Sequence, residues 1–368
     1  MIHGGAGEAV ACRAVTTGLY HRFDGYEELK PLLDGSDEEV LVRLAGKPAL
    51  IRLPAASMAT APRARLVSCL LHGNEPSGFV AMADVLRRGE RFPFDLWVLI
   101  GNVRAATEDG LYAHRHLDDQ EDFNRVWDVR SPTTDMRRCA AAILEQLRSA
   151  DLEAAVDLHN NSGRNPYYSI LTQLSPEGLL LASLCADTML LWRLHMHTLM
   201  EALATVCPAV SVECGPPHLS DGSSFASGVV HRFLTAADFA VPAGADRPRP
   251  RQMVEILQRV TVRPDVELSF GAAVDGADFV VVPELDRYNF EVLPALHTIG
   301  HVDPGAAMPL FACDVTGRDI TDQLFRITPD GAVIVTEDVM PMMMTTTVQQ
   351  VRRDCLFYTA CPVDIREG

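Results

Sequence analysis

Two hydrophobic periods alternate along the chain. From Arg65 the run RLVSCLL is short and apolar and stops abruptly at His72-Gly73, the pattern of a buried strand feeding a loop. Beyond that loop, residues 78–88 (GFVAMADVLRR) space Phe79, Met82, Ala83, Val85 and Leu86 at helical intervals, with an Arg pair near the C-terminal end, and predict a helix. The run LWVLIGN at 96–102 predicts the next strand. The scheme repeats with a helix over 136–148, a strand over 154–159 (AAVDLH), a helix over 178–203, a strand over 209–215 (AVSVECG) and one further helix over 252–260. Before all of these, 40–46 and 49–54 read as peripheral strands. Strands alternating with helices predict an α/β sheet covered on both faces, with ligands bound at the strands' carboxyl ends.

Past the Pro-rich stretch 242–250 and the helix expected over 252–260 the character changes. Residues 261–368 are dominated by β-type runs such as TVRPDVELSF, DFVVVP and GAVIVTE, separated by turn signals. The expected fold class is therefore α/β: a three-layer α/β/α domain with a mixed central sheet over 1–260 and a smaller β-rich domain over 261–368. A chain of 368 residues, 48% hydrophobic and 22% charged, suits a folded protein too long for one modest domain.

Charge and cysteine usage narrow the classes of function. A formal net charge of −17 disfavours a nucleic-acid partner, which needs a basic face to release counterions. An acidic substrate must then be met by locally placed Arg. Nine Cys, among them Cys12, Cys69, Cys139 and Cys214, include no C-x-x-C pair, so buried reduced thiols are expected rather than a disulfide framework or a thiolate zinc site. The start MIHGGAGEAVACRAV lacks the basic opening and apolar core of a secretory signal, and no apolar stretch is long enough for a membrane span; a cytoplasmic protein without a membrane partner is expected. The cluster Met340–Met344 reads as a buried strand edge or interface rather than a soft-metal site.

The candidate chemistry begins at HGNEPSG. There His72 and Glu75, three residues apart just past a buried strand, can offer an imidazole and a carboxylate to one metal ion. A catalytic zinc takes three protein ligands and keeps one position open, so a third donor must come from elsewhere in the chain. His159 closes the strand AAVDLH and reaches the same sheet edge if the two strands run parallel, with Asp157 as its supporting carboxylate. In DFNRVW, Asn124 and Arg125 stand side by side, an Arg fork suited to a substrate carboxylate or a developing oxyanion. In VECG, Glu213 interrupts an apolar strand, a costly place for a carboxylate unless it serves as a base. His195, His197, His297 and His301 read as ordinary core or surface His, and His114 and His116 as members of a solvated loop.

In that order, H-x-x-E, D-x-N-R, D-L-H and V-E-x-G resemble the succinylglutamate desuccinylase/aspartoacylase family of zinc hydrolases, relatives of the metallocarboxypeptidases. The resemblance implies one Zn2+ per chain on His72, Glu75 and His159, with Asn124 orienting substrate, Arg125 polarising the scissile carbonyl or holding a carboxylate, and Glu213 as general base. It further implies a carboxylate clamp at Arg115 and a small N-acylated carboxylate substrate; a homo-oligomer is left open. DRYNFEVLPALHTIG, residues 286–300, is similar to the N-F-x-x-L-P-A-G-T-x-I-G segment of that family's β-domain, with Leu296-His297 in place of the usual Gly. The loop HNNSGRNPYY departs from the corresponding segment of both desuccinylases and aspartoacylases, so neither substrate carries over, and Arg164 and Tyr167 become the candidates for specificity. Two rivals stand beside this reading. A metallocarboxypeptidase acting on peptide C-termini shares the zinc core but not the β-domain likeness, and a non-catalytic binding protein would be expected to have lost a ligand, the base or the Arg.

Overall fold

The structure, a computed structural model, describes residues 18–56, 63–128, 130, 132–217, 219–241, 250–271 and 276–363. The absence of a leader, read from residues 1–15, and the Pro-rich stretch over 242–249 lie outside the described residues. By Cα proximity the chain divides into two compact units, residues 1–155 with 197–199 and residues 156–196 with 200–368.

The first unit contains β1 (His21–Asp24), α1 (Tyr26–Leu33), α2 (Asp37–Arg43), β2 (Ala49–Leu53), β3 (Ala64–Cys69), α3 (Ser77–Arg88), β4 (Asp95–Ile100), α4 (Val103–Thr107), α5 (Asp135–Arg148) and the beginning of β5 (Leu152–His159). Its strands are ordered β1-β2-β4-β3-β5. β3 and β4 pair in parallel and every residue of both is buried, which is why each reads as a mainly apolar run, broken only by Arg65 and Ser68 in β3 and by Asp95 at the start of β4. The starts of β3 and β5 lie side by side: the Ala64 N–H donates to the Asp151 carbonyl at 3.2 Å, and buried Arg65 pairs with Glu153. These neighbours therefore leave the same end in the same direction. α3 buries the predicted stripe of Phe79, Met82, Ala83, Val85 and Leu86.

Residues 40–46, expected as a strand, instead form the last turn of α2 (40–43) and the turn that follows it (44–46). The Ser36 side chain accepts from the Glu39 N–H while the Glu39 side chain accepts from the Ser36 N–H, a capping box that starts a helix. Val40, Leu41 and Leu44 then share one buried face, and the apparent alternation is broken by exposed Val42.

The second unit takes up the end of β5 and continues with β6 (Tyr168–Leu171), α6 (Pro176–Cys185), β7 (Thr188–Leu191), α7 (Leu199–Leu203), β8 (Ala209–Glu213), α8 (Ser220–Thr235) and β9 (Gln252–Val262). It then runs through β10 (Leu268–Phe270), β11 (Phe279–Val281), β12 (Thr298–His301), β13 (Leu310–Asp314), α9 (Thr321–Leu324), β14 (Phe325–Ile327), β15 (Ala332–Val335), β16 (Met340–Met342), α10 (Val348–Arg353) and β17 (Phe357–Pro362). Strand order from β5 is β5-β8-β6-β7-β9-β17-β16, with β13 also on β9. β8 is antiparallel to β6, while β7 is parallel to both β6 and β9, so the large sheet is mixed. A smaller sheet, β10-β11-β12-β15-β14, packs around Phe279, Ile299, Val333 and Phe325. The fold class is thus mixed α/β with a large central sheet, as the alternation predicts.

Two further expectations are corrected. The helix expected over 252–260 is strand β9, whose buried Val254, Ile256, Val260 and Val262 fall at even spacings suited to a pleat. The single helix expected over 178–203 is broken into α6, β7 and α7. Its first part is capped by Ser175 with Pro176 in the first turn, and all four residues of β7 are buried between parallel neighbours. An almost uniformly apolar run carries no stripe from which helix and buried strand can be told apart.

Met342 is buried in the edge strand β16, as expected of the Met cluster. The eight Cys among the described residues are free, Cys12 lying outside them. No described helix is long and apolar enough to cross a membrane.

Candidate metal centre

In the first unit β3 ends at Cys69, Leu70 turns the chain through a left-handed φ of +57°, and His72 and Glu75 follow in the short turn before α3. Both are buried. His72 Nδ1 lies 2.9 Å from Glu75 Oε1, and its Nε2 lies 3.1 Å from Asp122 Oδ1. Asp122 is the hub of the group. Its Oδ1 also accepts the Asn124 N–H at 2.8 Å, and its Oδ2 accepts from Nε and Nη2 of Arg115 at 3.2 and 3.1 Å. Arg115 reaches Glu75 Oε1 as well, at 3.4 Å. Burial alone would raise the Asp122 carboxyl, but the charges of His72, Arg115 and Arg125 and the His72 hydrogen bond hold it well below the usual carboxylate range.

In the second unit Asp157 and His159 sit two apart on β5 and so share a face. His159 Nε2 lies 2.6 Å from Asp157 Oδ2; Asp157 is fully buried, and its Oδ1 has no hydrogen-bond partner among the described residues. The His159 carbonyl accepts the Cys214 N–H at 2.8 Å, which ties the end of β5 to the end of β8. Glu213, the last residue of β8, is buried and stands opposite Tyr168 of β6. The chain then turns at Gly215, φ +73°, where a Cβ would come within 2.9 Å of the Tyr167 ring. Tyr167 itself stacks on Phe225, centroids 4.1 Å apart.

His72, Glu75 and His159 each offer a ligand atom, all within 4.8 Å of one another, and all three residues are buried. Donors that approach zinc to about 2.0–2.2 Å stand roughly 3–4 Å from each other, so this cluster suits a single ion. Both His have Nε2 close to a carboxylate, Asp122 for one and Asp157 for the other, which orients each ring. Two His and one carboxylate, each ring buttressed in this way, are the donor set of a catalytic zinc. The orphaned Oδ1 of a fully buried aspartate further favours a positive charge nearby.

The remaining predicted site residues are placed differently. Asn124 is buried and its Oδ1 accepts the Leu199 N–H at 3.0 Å, so the amide is oriented by the start of α7. The half-buried Arg125 donates from Nη1 to the Asn124 carbonyl at 2.9 Å. Arg115 is engaged by Asp122 and Glu75, two carboxylates of the protein. Arg164 is 61% exposed at its side chain and lies 3.2 Å from Glu284 and 3.9 Å from Asp286. Sequence reasoning passed over Asp122, although its place two residues before Asn124 in D-x-N-R was the available signal.

No family model matches the chain, and no curated protein matches it by sequence. Solved structures do match. A succinylglutamate desuccinylase/aspartoacylase from Rhodobacter sphaeroides aligns with a TM-score of 0.56 at 12% identity, over 86% of this chain and 89% of that one. A succinylglutamate desuccinylase from Vibrio parahaemolyticus aligns at 0.52 and 15% identity, over 87% of both chains. Another, from Chromobacterium violaceum, aligns at 0.50 and 16% identity, over 84% of this chain and 87% of that one. At these identities the shared property is the fold, and it is the fold of the family that the sequence motifs resemble.

Proposed function

We propose that this chain is a zinc-dependent amidohydrolase that cleaves a small N-acyl amino acid into a carboxylate and an amine. The observation that carries the reading is the buried convergence of His72, Glu75 and His159, with a carboxylate on the second nitrogen of each His. The names of the solved structures sharing the fold, desuccinylases and aspartoacylases, support the substrate class.

In this reading His72, Glu75 and His159 hold the ion. Zinc bound there supplies Lewis acidity, polarising the scissile carbonyl and making water nucleophilic near neutral pH. Glu213, buried at the end of β8, takes a proton from the attacking water as the C–O bond forms and the carbonyl electron pair moves onto oxygen, and then returns that proton to the amine nitrogen as the C–N bond breaks. Arg125 offers its guanidinium to the developing oxyanion or a substrate carboxylate, and Asn124, itself oriented through Leu199, orients the substrate. Arg115, braced between Asp122 and Glu75, fixes the ligand carboxylate in place.

The test is release of free amine from N-acetyl, N-succinyl and other N-acyl amino acids by zinc-loaded protein, with and without a chelator. Release from one acyl class that the chelator abolishes is expected. Silence across the panel from fully loaded protein would remove the hydrolase reading.

A further inference from the structure

Residues 160–167 join the candidate ligand His159 to β6 and carry Arg164 and Tyr167. One end of the segment is tied beside Glu213: Asn160 Nδ2 and the Asn161 N–H both donate to the Gly215 carbonyl, at 2.8 and 3.2 Å. Its middle is gripped by residues more than a hundred positions later. The Arg164 N–H donates to Asp286 Oδ2 at 2.9 Å and the Met343 N–H donates to Asn165 Oδ1 at 3.2 Å, while the later residues are tied to one another by the Met344 N–H donating to Asn289 Oδ1 at 3.0 Å. At Gly163, φ +76°, the backbone comes so close that a Cβ would lie 2.5 Å from the Met344 carbonyl oxygen.

Asp286 and Asn289 are both buried. Three non-glycine residues of this grip, Glu284, Phe290 and Met343, adopt φ of +57°, +62° and +51°. A Cβ disfavours such backbone, and three instances in one contact mean that the surroundings hold them there. Phe290 extends the grip to β6 by packing on Tyr168, centroids 4.8 Å apart, and Tyr168 stands opposite Glu213. A network that only stapled the fold would not need to converge on the one segment running between the third ligand and the strand beside the base.

We infer that Asp286 is a positioning residue that sets the shape of segment 160–167 and thereby the fit of the substrate's acyl or amino-acid part, an inference that rests on the hydrolase reading. Asp286 acts by accepting the Arg164 N–H, so an amide oxygen in its place serves as well and a methyl group does not.

The experiment pairs hydrogen exchange with steady-state kinetics on the full-length, zinc-loaded chain, comparing wild type with Asp286→Ala and Asp286→Asn. In Asp286→Ala, amides of 160–167 should exchange about tenfold faster while β5 and β8 keep their protection. KM for the best substrate of the N-acyl amino-acid panel should rise roughly fivefold with kcat within about twofold. Asp286→Asn should restore both. If Asp286→Ala does not fold, Asn165→Ala loosens the same segment at a less buried anchor and should give the same pattern. Faster exchange with KM unchanged would reduce Asp286 to a structural staple, and unchanged exchange would overturn the inference outright. If wild-type protein releases no amine from any substrate, the hydrolase reading fails on its own, and the exchange arm still decides whether Asp286 shapes the segment.

Discussion

Asp122 holds Nε2 of His72 at 3.1 Å, as Asp157 holds Nε2 of His159 at 2.6 Å, so each of the two His rings is oriented by a carboxylate in the same manner. A carboxylate on the far nitrogen fixes tautomer and ring direction and raises the basicity of the ligating nitrogen. Asp157→Asn keeps the shape and removes the charge. Its zinc affinity, measured by competition with a chromophoric chelator, should fall about 10–100-fold; an affinity equal to wild type would deny Asp157 this role.

Glu213 is assigned to moving the proton rather than to holding the ion. Glu213→Gln should therefore retain wild-type zinc content while kcat drops by about 10²–10⁴-fold. A variant turning over near the wild-type rate would exclude Glu213 as the base.

Leu296 is 64% exposed with φ +68°, at the place where the family resemblance expects Gly. A left-handed Leu carries a steric cost that Gly avoids, partly offset by the greater chain entropy of Gly when unfolded. Leu296→Gly should stabilise the chain by about 0.5–1 kcal/mol in urea unfolding, without changing zinc content. Destabilisation would mean that the Leu side chain makes a contact worth more than the strain.

Burial pushes the thiols of Cys139, Cys185 and Cys207 up to about 12. The unfolded chain loses these protons near pH 9 and the folded chain does not, so the stabilisation is complete below pH 9 and is lost as pH rises from there toward 12. The fully protected Cys185 alone accounts for about 1.4 kcal/mol per pH unit in that window. Urea midpoints at pH 8 and pH 10 should differ less in Cys185→Ala than in wild type; equal differences would show that the thiol does not contribute.

The sequence was legible where each element had an unmistakable period. β3, β4, β5 and β8 are buried runs, and α3 and α5 carry clear stripes. It misled where local pattern lost to context: a capping box turned an alternating run into α2, and a uniformly apolar stretch concealed β7 between two helices. His72, Glu75 and His159 were legible because strand ends expose their chemistry in sequence. The roles of Asp122 and Asp286 were not, because both are defined by partners far along the chain: His72, fifty positions away from one, and Arg164, 122 positions away from the other.

The central claim is that His72, Glu75 and His159 together bind one zinc ion. Its most direct test is the zinc content of dialysed wild-type and His159→Ala protein by elemental analysis, with folding of both checked by circular dichroism. Wild type should hold about one ion per chain and the folded variant almost none. A wild type that binds no zinc, or a variant that keeps a full equivalent, would contradict the claim.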